Sequence, residues 1–290
     1  MAQIGCLLKM NILVIGATGF IGTHFVKMAN ELGHEVAVLS RKNVSQVRKI
    51  QIIHKEDPNL FQKVQQFNPD VILDLATKFD LNPINLEGNE LISGTFAYHL
   101  EVSNKLRNLR APWVYTSSYW QDLRNPDGTF ISDYHFLKHS VEEYLCAMTP
   151  QGFTSVVLMD NYGQDDNRGK VVDFLLKASP NGENINLSQG HQFLNLLHVD
   201  DVCSGLLAIC FDRRTELQQI SKVNLISEEF ITLRDLVNEV EQLRDIKLPI
   251  KWGAKDYRAG EILSIPNLER YSSNWIQKYR IKEGLKTLIR

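Results

Sequence analysis

Two hydrophobic rhythms alternate along the first half of the chain. Short unbroken aliphatic runs recur at Asn11–Ala17, His34–Ser40, Ile50–His54, Asp70–Thr77, Ala111–Ser118 and Thr154–Asp160. Runs of this length, without polar alternation, predict strands buried on both faces. Between them the apolar residues shift to helical spacing. Phe20, Ile21, Phe25, Met28 and Leu32 line a helix over 19–32 that Gly33 ends. Further helices are predicted over 60–67, about 83–108 and 133–148. Strand alternating with helix implies a parallel sheet covered on both faces. After Gly163 the rhythm breaks into shorter pieces rich in Gly, Asn and Ser. The expected organisation is a first domain over 10–165 with a return segment at about 195–226, and a smaller lobe from 166–194 and 227–290. A helix is expected to begin at Val202, capped by Asp200-Asp201. MAQIGCLLK, the first nine residues, reads as an extension ahead of Met10.

Composition narrows the field. At 290 residues, with 43% hydrophobic and 23% charged, the chain has the make-up of a soluble globular protein. A net charge of −2 without a long basic run leaves no electrostatic footprint for nucleic acid or an anionic membrane. No apolar segment reaches the length of a membrane span and the N-terminus lacks a signal-peptide core, so a cytoplasmic protein is expected. Cys6, Cys146, Cys203 and Cys210 lie far apart or in apolar surroundings. They read as buried thiols of a reducing compartment, and no metal site is expected.

The stretch GATGFIG, Gly16–Gly22, follows the first strand directly. In this setting Gly16 makes a tight turn, Gly19 lets the backbone approach a pyrophosphate, and Gly22 lets the helix pack on the strand. The helix start around Thr18, Phe20 and Ile21 offers free N–H groups and the positive dipole end to phosphates. The fold expected is therefore α/β, a Rossmann-type doubly wound parallel sheet with a smaller C-terminal substrate-binding lobe. The second strand ends in Ser40-Arg41-Lys42, where an NAD site wants a carboxylate for the ribose 2′-OH. Arg41 can hold a 2′-phosphate through paired charged bonds, and Ser40 can donate a hydroxyl. The alternative is a solvated basic pair on a loop. NADP(H) is the expected cofactor.

Tyr134 and Lys138 stand four apart on a predicted helix and share a face. The fifth strand delivers Thr116, Ser117 and Ser118 at its carboxyl end, where α/β sheets place their sites. A tyrosine titrates near 10, and bringing it to about 7 takes roughly 4 kcal/mol of stabilisation of the phenolate. A nearby ammonium and a positive nicotinamide are expected to supply it. A serine hydroxyl can complete the polarising pair on a substrate oxygen. Ser118, Tyr134 and Lys138 are the catalytic candidates.

GATGFIG, Ser118 and Tyr134-x-x-x-Lys138, with the alternation around them, resemble the extended short-chain dehydrogenase/reductase family, the branch acting on nucleotide sugars. The stretches LMDNYGQDD, QFLNLLHVDDV and YRAGEIL resemble that branch's later motifs. The resemblance implies that Leu75, Ala76, Thr77 and Ser117 join the cofactor site. It also implies that Tyr119, Asp160, Asn161, Arg258 and Glu261 face the substrate, with Arg258 gripping a diphosphate or ribose. For Arg258 an exposed arginine in a turn is the other reading. A homodimer paired through the 83–108 and Tyr134 helices is implied as well.

Departures from the family pattern bear on the reaction. Asp160 stands where the family has Asn, Gln164 where it has Pro, and Tyr119-Trp120 follow the serine. Family dehydratases carry an acid–base pair after the serine, and epimerising reductases a cysteine; this chain has neither there. The overall resemblance, including LATKF and WGAKDYRAGEIL, is to reductases of dTDP- or CDP-linked 4-keto-6-deoxyhexoses, the CDP-abequose synthase type among them, which serve surface-polysaccharide assembly. A nucleotide-sugar 4-epimerase or dehydratase of the same family is the alternative. A non-catalytic cofactor-binding scaffold or redox sensor is a second. His135 and His139 flank the catalytic pair, and His135 is expected to point about 100° away from Tyr134.

Overall fold

The computed structural model describes residues 9–40, 51–77, 88–149, 151–215, 219–273 and 275–289. The chain starts at the middle of its main sheet with β1 (Asn11–Ile15), then builds outward through β2 (Glu35–Ser40) and β3 (Gln51–His54). It returns to the other side of β1 with β4 (Val71–Asp74), followed by β5 (Trp113–Ser118) and β6 (Phe153–Leu158). The short strands β7 (Asp160–Tyr162), β8 (Ile185–Asn186), β9 (Phe193–Leu194) and β10 (Leu196–His198) follow. Then β11 (Ile220–Leu225) rejoins the main sheet beside β6, giving seven parallel strands in the order 11-6-5-4-1-2-3. The order reverses between β1 and β4, so a crevice opens at their carboxyl ends.

Alternate residues of β1 face opposite layers. Ile12 and Val14 pack under α1 (Phe20–Glu31), and Leu13 and Ile15 pack with α2 (Leu60–Phe67). Beyond α2 that second layer holds α3 (Gly88–Ile92), α4 (Tyr98–Leu106) and α5 (Asp133–Met148), whose Val141 and Leu145 are fully buried. Removing such a side chain from water contributes about 1.5–3 kcal/mol. This is the Rossmann-like, doubly wound α/β fold that the two rhythms predict.

A second core closes around α6 (Val171–Lys177), with Val172 and Leu175 buried. The long helix α7 (Val199–Arg213) belongs to the first core, beside α1. The strands β12 (Ile231–Thr232) and β13 (Ile250–Lys251) pair with β9 and β8. The helices α8 (Leu233–Arg244) and α9 (Ile281–Lys286) complete the second core with Leu236, Val240 and Leu285. A Cβ on Gly284 would lie 2.0 Å from the Tyr162 hydroxyl, so α9 reaches β7 only through a glycine. Among the described residues no helix is long and apolar enough to cross a membrane.

Two expectations are corrected. The helix predicted over 83–108 is interrupted by a π turn at Ser93–Ala97 between α3 and α4, and residues 83–87 lie outside the described ones. The helix expected at Val202 starts at Val199, and its cap is His198, whose Nδ1 accepts the Asp200 N–H at 3.2 Å. Asp201 instead accepts backbone N–H groups of Lys278 (2.7 Å) and Tyr279 (2.9 Å), tying α7 to the C-terminal segment. Burial pushes its carboxyl above the ordinary range while these two bonds pull it back. Asp201→Ala leaves both donors without an acceptor, so urea unfolding is expected to show a loss of about 1–3 kcal/mol. An unchanged unfolding midpoint would refute that assignment.

Candidate active site

Gly16 leaves β1 with φ +80°, a conformation strained for any side chain. A Cβ there would lie 2.7 Å from the Ala76 backbone nitrogen, so the ends of β1 and β4 meet through a missing side chain. A Cβ on Gly22 would sit 2.3 Å from the Gly16 carbonyl oxygen. At Gly19 a Cβ would touch only that carbonyl, at 3.4 Å, and otherwise project into open space. The first turn of α1 has no side-chain cap and no acidic residue. Its N–H groups therefore keep their hydrogen-bonding capacity and their positive dipole end. Thr18 and Gly19 are exposed, with Phe20 and Ile21 half-buried behind them. An uncapped glycine cradle of this kind fits the diphosphate of a dinucleotide. Leu75, Ala76 and Thr77 form the β4 side of the crevice, where Asp74 Oδ1 accepts the Ala76 N–H at 3.0 Å. Ser40 is buried at the end of β2, and Arg41 and Lys42 lie outside the described residues.

At the end of β5 three consecutive hydroxyls go three ways. Thr116 donates to the Asp74 carbonyl at 3.0 Å, and Ser117 donates to the buried Glu142 carboxylate at 2.6 Å. The Ser118 oxygen accepts the Trp120 N–H at 3.3 Å, capping a 3-10 turn over Tyr119–Asp122. Its proton has no acceptor among the described residues. Ser117, expected at the cofactor, has its hydroxyl turned to α5.

Tyr134 and Lys138 occupy successive turns of α5. Lys138 is 3% exposed, and its ammonium donates to the Thr116 carbonyl at 2.6 Å while lying 4.4 Å over the Tyr115 ring. Burial lowers its pKa to about 8, against the charges of Asp74 and Glu142, which favour the ammonium. Tyr134 hydrogen-bonds the Thr77 side chain. Burial raises its phenol above the ordinary value, and the Thr77 bond pulls the other way. The sequence led us to expect a phenol lowered by the neighbouring ammonium and a bound nicotinamide acting together. The lysine instead reaches past it to Thr116 and Tyr115, and burial prevails.

The flanking histidines are both engaged. His135 Nδ1 meets Ser132 Oγ at 2.6 Å, and His139 Nδ1 meets Asp122 Oδ1 at 2.9 Å. The His135 ring packs edge-on to Tyr134, with centroids 5.8 Å apart. Burial, then the Arg124 charge, lowers the His135 pKa.

The substrate candidates gather beside Ser118. Ser118 pairs with Leu158 in the sheet, and Asp160 and Asn161 follow two and three residues later. Asp160 is bound to Lys170 at 3.3 Å, and the buried Asn161 Oδ1 has no partner among the described residues. Tyr119 and Trp120 share an apolar cluster with Ile262, which brings the adjacent Glu261 to the catalytic turn. Glu261 donates its N–H to the Arg258 carbonyl at 3.2 Å, and burial raises its carboxyl while Arg258 pulls it down. Its Oε2 is buried without a partner among the described residues, and Arg258 is exposed. Sequence reasoning missed Glu142, although its i+4 spacing from Lys138 was readable. It also missed Arg168, whose guanidinium lies 4.1 Å over the Phe20 ring, bound to Asp166 and the Asn161 carbonyl.

Residues 12–220 match the NAD dependent epimerase/dehydratase family. The chain is 24% identical over 294 residues to a CDP-abequose synthase of Yersinia pseudotuberculosis, covering 97% of this chain and 100% of that one. It is 25% identical over 259 residues to an N-acetylglucosaminyl-diphospho-undecaprenol 4-epimerase of Escherichia coli O157:H7, covering 82% and 74%. Its fold superimposes on a solved UDP-glucose 4-epimerase from Thermotoga maritima, determined with UDP-glucose, with a TM-score of 0.74, 22% identity and coverage of 96% and 97%.

A lysine pKa of about 8 means Lys138 carries its charge below that pH and loses it above, well before an ordinary lysine near 10.4. Lysine side-chain NMR is expected to show one resonance titrating near 8 that disappears in Lys138→Met. A Lys138 signal that titrates with the exposed lysines would contradict this burial argument.

Proposed function

The chain belongs to the NAD dependent epimerase/dehydratase family, and within it we propose that it reduces the C4 ketone of a dTDP- or CDP-linked 4-keto-6-deoxyhexose with NADPH. The observation that carries this reading is the set of protons at the end of β5. Ser118 has a hydroxyl proton with no described acceptor, and Tyr134 is a phenol that burial keeps neutral. One hydroxyl from the end of β5 and one from the first turn of α5 suit a carbonyl oxygen that gains negative charge. The similarity to a CDP-abequose synthase along nearly the whole chain supports the carrier and the sugar.

NADPH, when bound, supplies the hydride. The glycine turn and the first N–H groups of α1 would hold its diphosphate, with Ser40, Arg41 and Lys42 at the adenosine end. Ser118 hydrogen-bonds the ketone oxygen, and Tyr134 gives that oxygen its proton. Lys138, one turn away, donates to the Thr116 carbonyl and so holds the turn of α5 that carries Tyr134 against β5. Residues 166–194 and 227–290 form the proposed nucleotide-sugar lobe. Arg258 is assigned to the diphosphate or ribose, Glu261 to the nucleotide, and Tyr119, Asp160 and Asn161 to the sugar.

The reductase reading is tested with labels. Turnover of dTDP- or CDP-4-keto-6-deoxyglucose with NADPH deuterated on the transferred face is expected to place deuterium at C4 alone. Turnover in D₂O is expected to leave C3 and C5 unlabelled, because His135 and His139 are tied to Ser132 and Asp122. Tyr134→Phe should slow turnover by about 10²- to 10⁴-fold with NADPH affinity unchanged. Solvent deuterium at C3 or C5 points to an epimerising enzyme, and sugar interconversion without net NADPH oxidation to a 4-epimerase.

The choice of NADPH is read at Arg41. Arg41→Ala is expected to weaken NADPH far more than NADH, since NADH has no 2′-phosphate for the guanidinium to meet. Equal losses, or a wild type that prefers NADH, overturn it.

A further inference from the structure

Glu142 lies one turn beyond Lys138 on α5, and its carboxylate gathers three donors while 7% exposed. Its Oε2 accepts from Ser117 Oγ at 2.6 Å and also from the Gln121 side-chain nitrogen. Its Oε1 meets the Lys222 ammonium, from the edge strand β11, at 3.2 Å. Gln121 is fully buried, and its other end, Oε1, accepts the Ser118 N–H at 3.3 Å. A continuous line of bonds thus runs from Lys222 through Glu142 and Gln121 to the backbone of Ser118.

The chemistry of each link gives the line a direction. A carboxylate only accepts, so Glu142 forces the Gln121 amide to present nitrogen to α5 and oxygen to Ser118. The same carboxylate takes the Ser117 proton, which removes the neighbouring hydroxyl from competition for a ligand. An outer pair steadies the lysine: Asp122 accepts from Lys222 at 2.8 Å and from His139 at 2.9 Å. Burial opposes the charge on Asp122, yet these two bonds hold its carboxyl below the ordinary range.

We propose that Glu142 and Gln121 are positioning residues that aim the Ser118 hydroxyl at the substrate oxygen, without touching substrate themselves. The inference deepens the ketoreductase reading and rests on it for the oxygen that Ser118 meets. A structural ion pair alone would stabilise the fold without any dependence on Ser118, and that difference is measurable.

The test is a double-mutant cycle on the full-length protein, with NADPH and a 4-keto-6-deoxyhexose nucleotide. Glu142→Gln is expected to lower kcat about 10- to 100-fold, with KM and NADPH affinity within about twofold. In a Ser118→Ala background the same change is expected to cost less than about twofold, because there is no hydroxyl left to misplace. Gln121→Met runs the same cycle without altering charge, and it carries the test if Glu142→Gln does not fold. Equal losses in both backgrounds, or unchanged kcat in the single variants, overturn the proposal. If the wild type reduces no 4-keto sugar, the ketoreductase reading fails. Crystal structures of wild type and Glu142→Gln then decide: a turned Gln121 amide with Ser118 displaced supports positioning, and a superimposable Ser118 refutes it.

Discussion

A lysine is buried where the carboxyl edge of the sheet meets α5, and the catalytic end of the molecule is arranged around it. Taking an ammonium out of water costs several kcal/mol unless it is compensated. Lys138 finds a carbonyl at 2.6 Å, an aromatic face at 4.4 Å, and the fields of two buried carboxylates. These partners come from different elements: Thr116 and Tyr115 from β5, Asp74 from β4 and Glu142 from α5 itself. Helix α5 cannot slide along β5 without stranding the charge against apolar side chains. Tyr134, one turn earlier, is thereby held at a fixed height above the crevice.

The two halves of that crevice are made differently. The cofactor half is backbone: Gly16 and Ala76 approach so closely that no side chain fits between them, and α1 opens uncapped on the gap. The catalytic half is side chains, each tied down by a neighbour. Asp74 belongs to both. Its Oδ1 fixes the Ala76 N–H, its carbonyl takes the Thr116 hydroxyl, and its Oδ2 receives Trp113 Nε1 at 3.3 Å. A fully buried carboxylate with all of these partners transmits the position of one wall to the other.

The parts of this structure that follow local rules were legible in the sequence. Strands buried on both faces must be aliphatic throughout, so the first six main-sheet strands stood out, whereas β11, with Ser221, Lys222 and Asn224, did not; α2 and α5 span the stretches their apolar spacing marks. Glycine spacing announced the turn for the same reason, since the backbone contact at Ala76 tolerates nothing larger. What depends on long-range partners was not legible. The π turn at Ser93–Ala97 changes hydrogen-bond phase without a residue signature. Asp201 looked like a helix cap because its acceptor role is filled by Lys278 and Tyr279, far along the chain. Glu142 had the right spacing, but a helical glutamate reads as solvated until Lys222 arrives from β11. The place of the Lys138 ammonium beyond Tyr134 was not legible either, because Thr116 and Tyr115 decide it.

The protonation state of Tyr134 matters for the proposed chemistry. A phenolate beside the crevice would be prepared to take a proton from an alcohol, which is what oxidation of a sugar hydroxyl requires. A protonated phenol can give one, as the proposed reduction requires when a ketone oxygen becomes an alkoxide; burial reinforces a protonation state that an ordinary phenol already has at neutral pH. Ser118 points the same way, since its oxygen already accepts the Trp120 N–H and it has a proton left to donate. Of the three hydroxyls at the end of β5, the two that could have competed are bound inward, to Asp74 and Glu142. Ser118, and Tyr134 with its bond to Thr77, are the hydroxyls on which the proposed reduction rests.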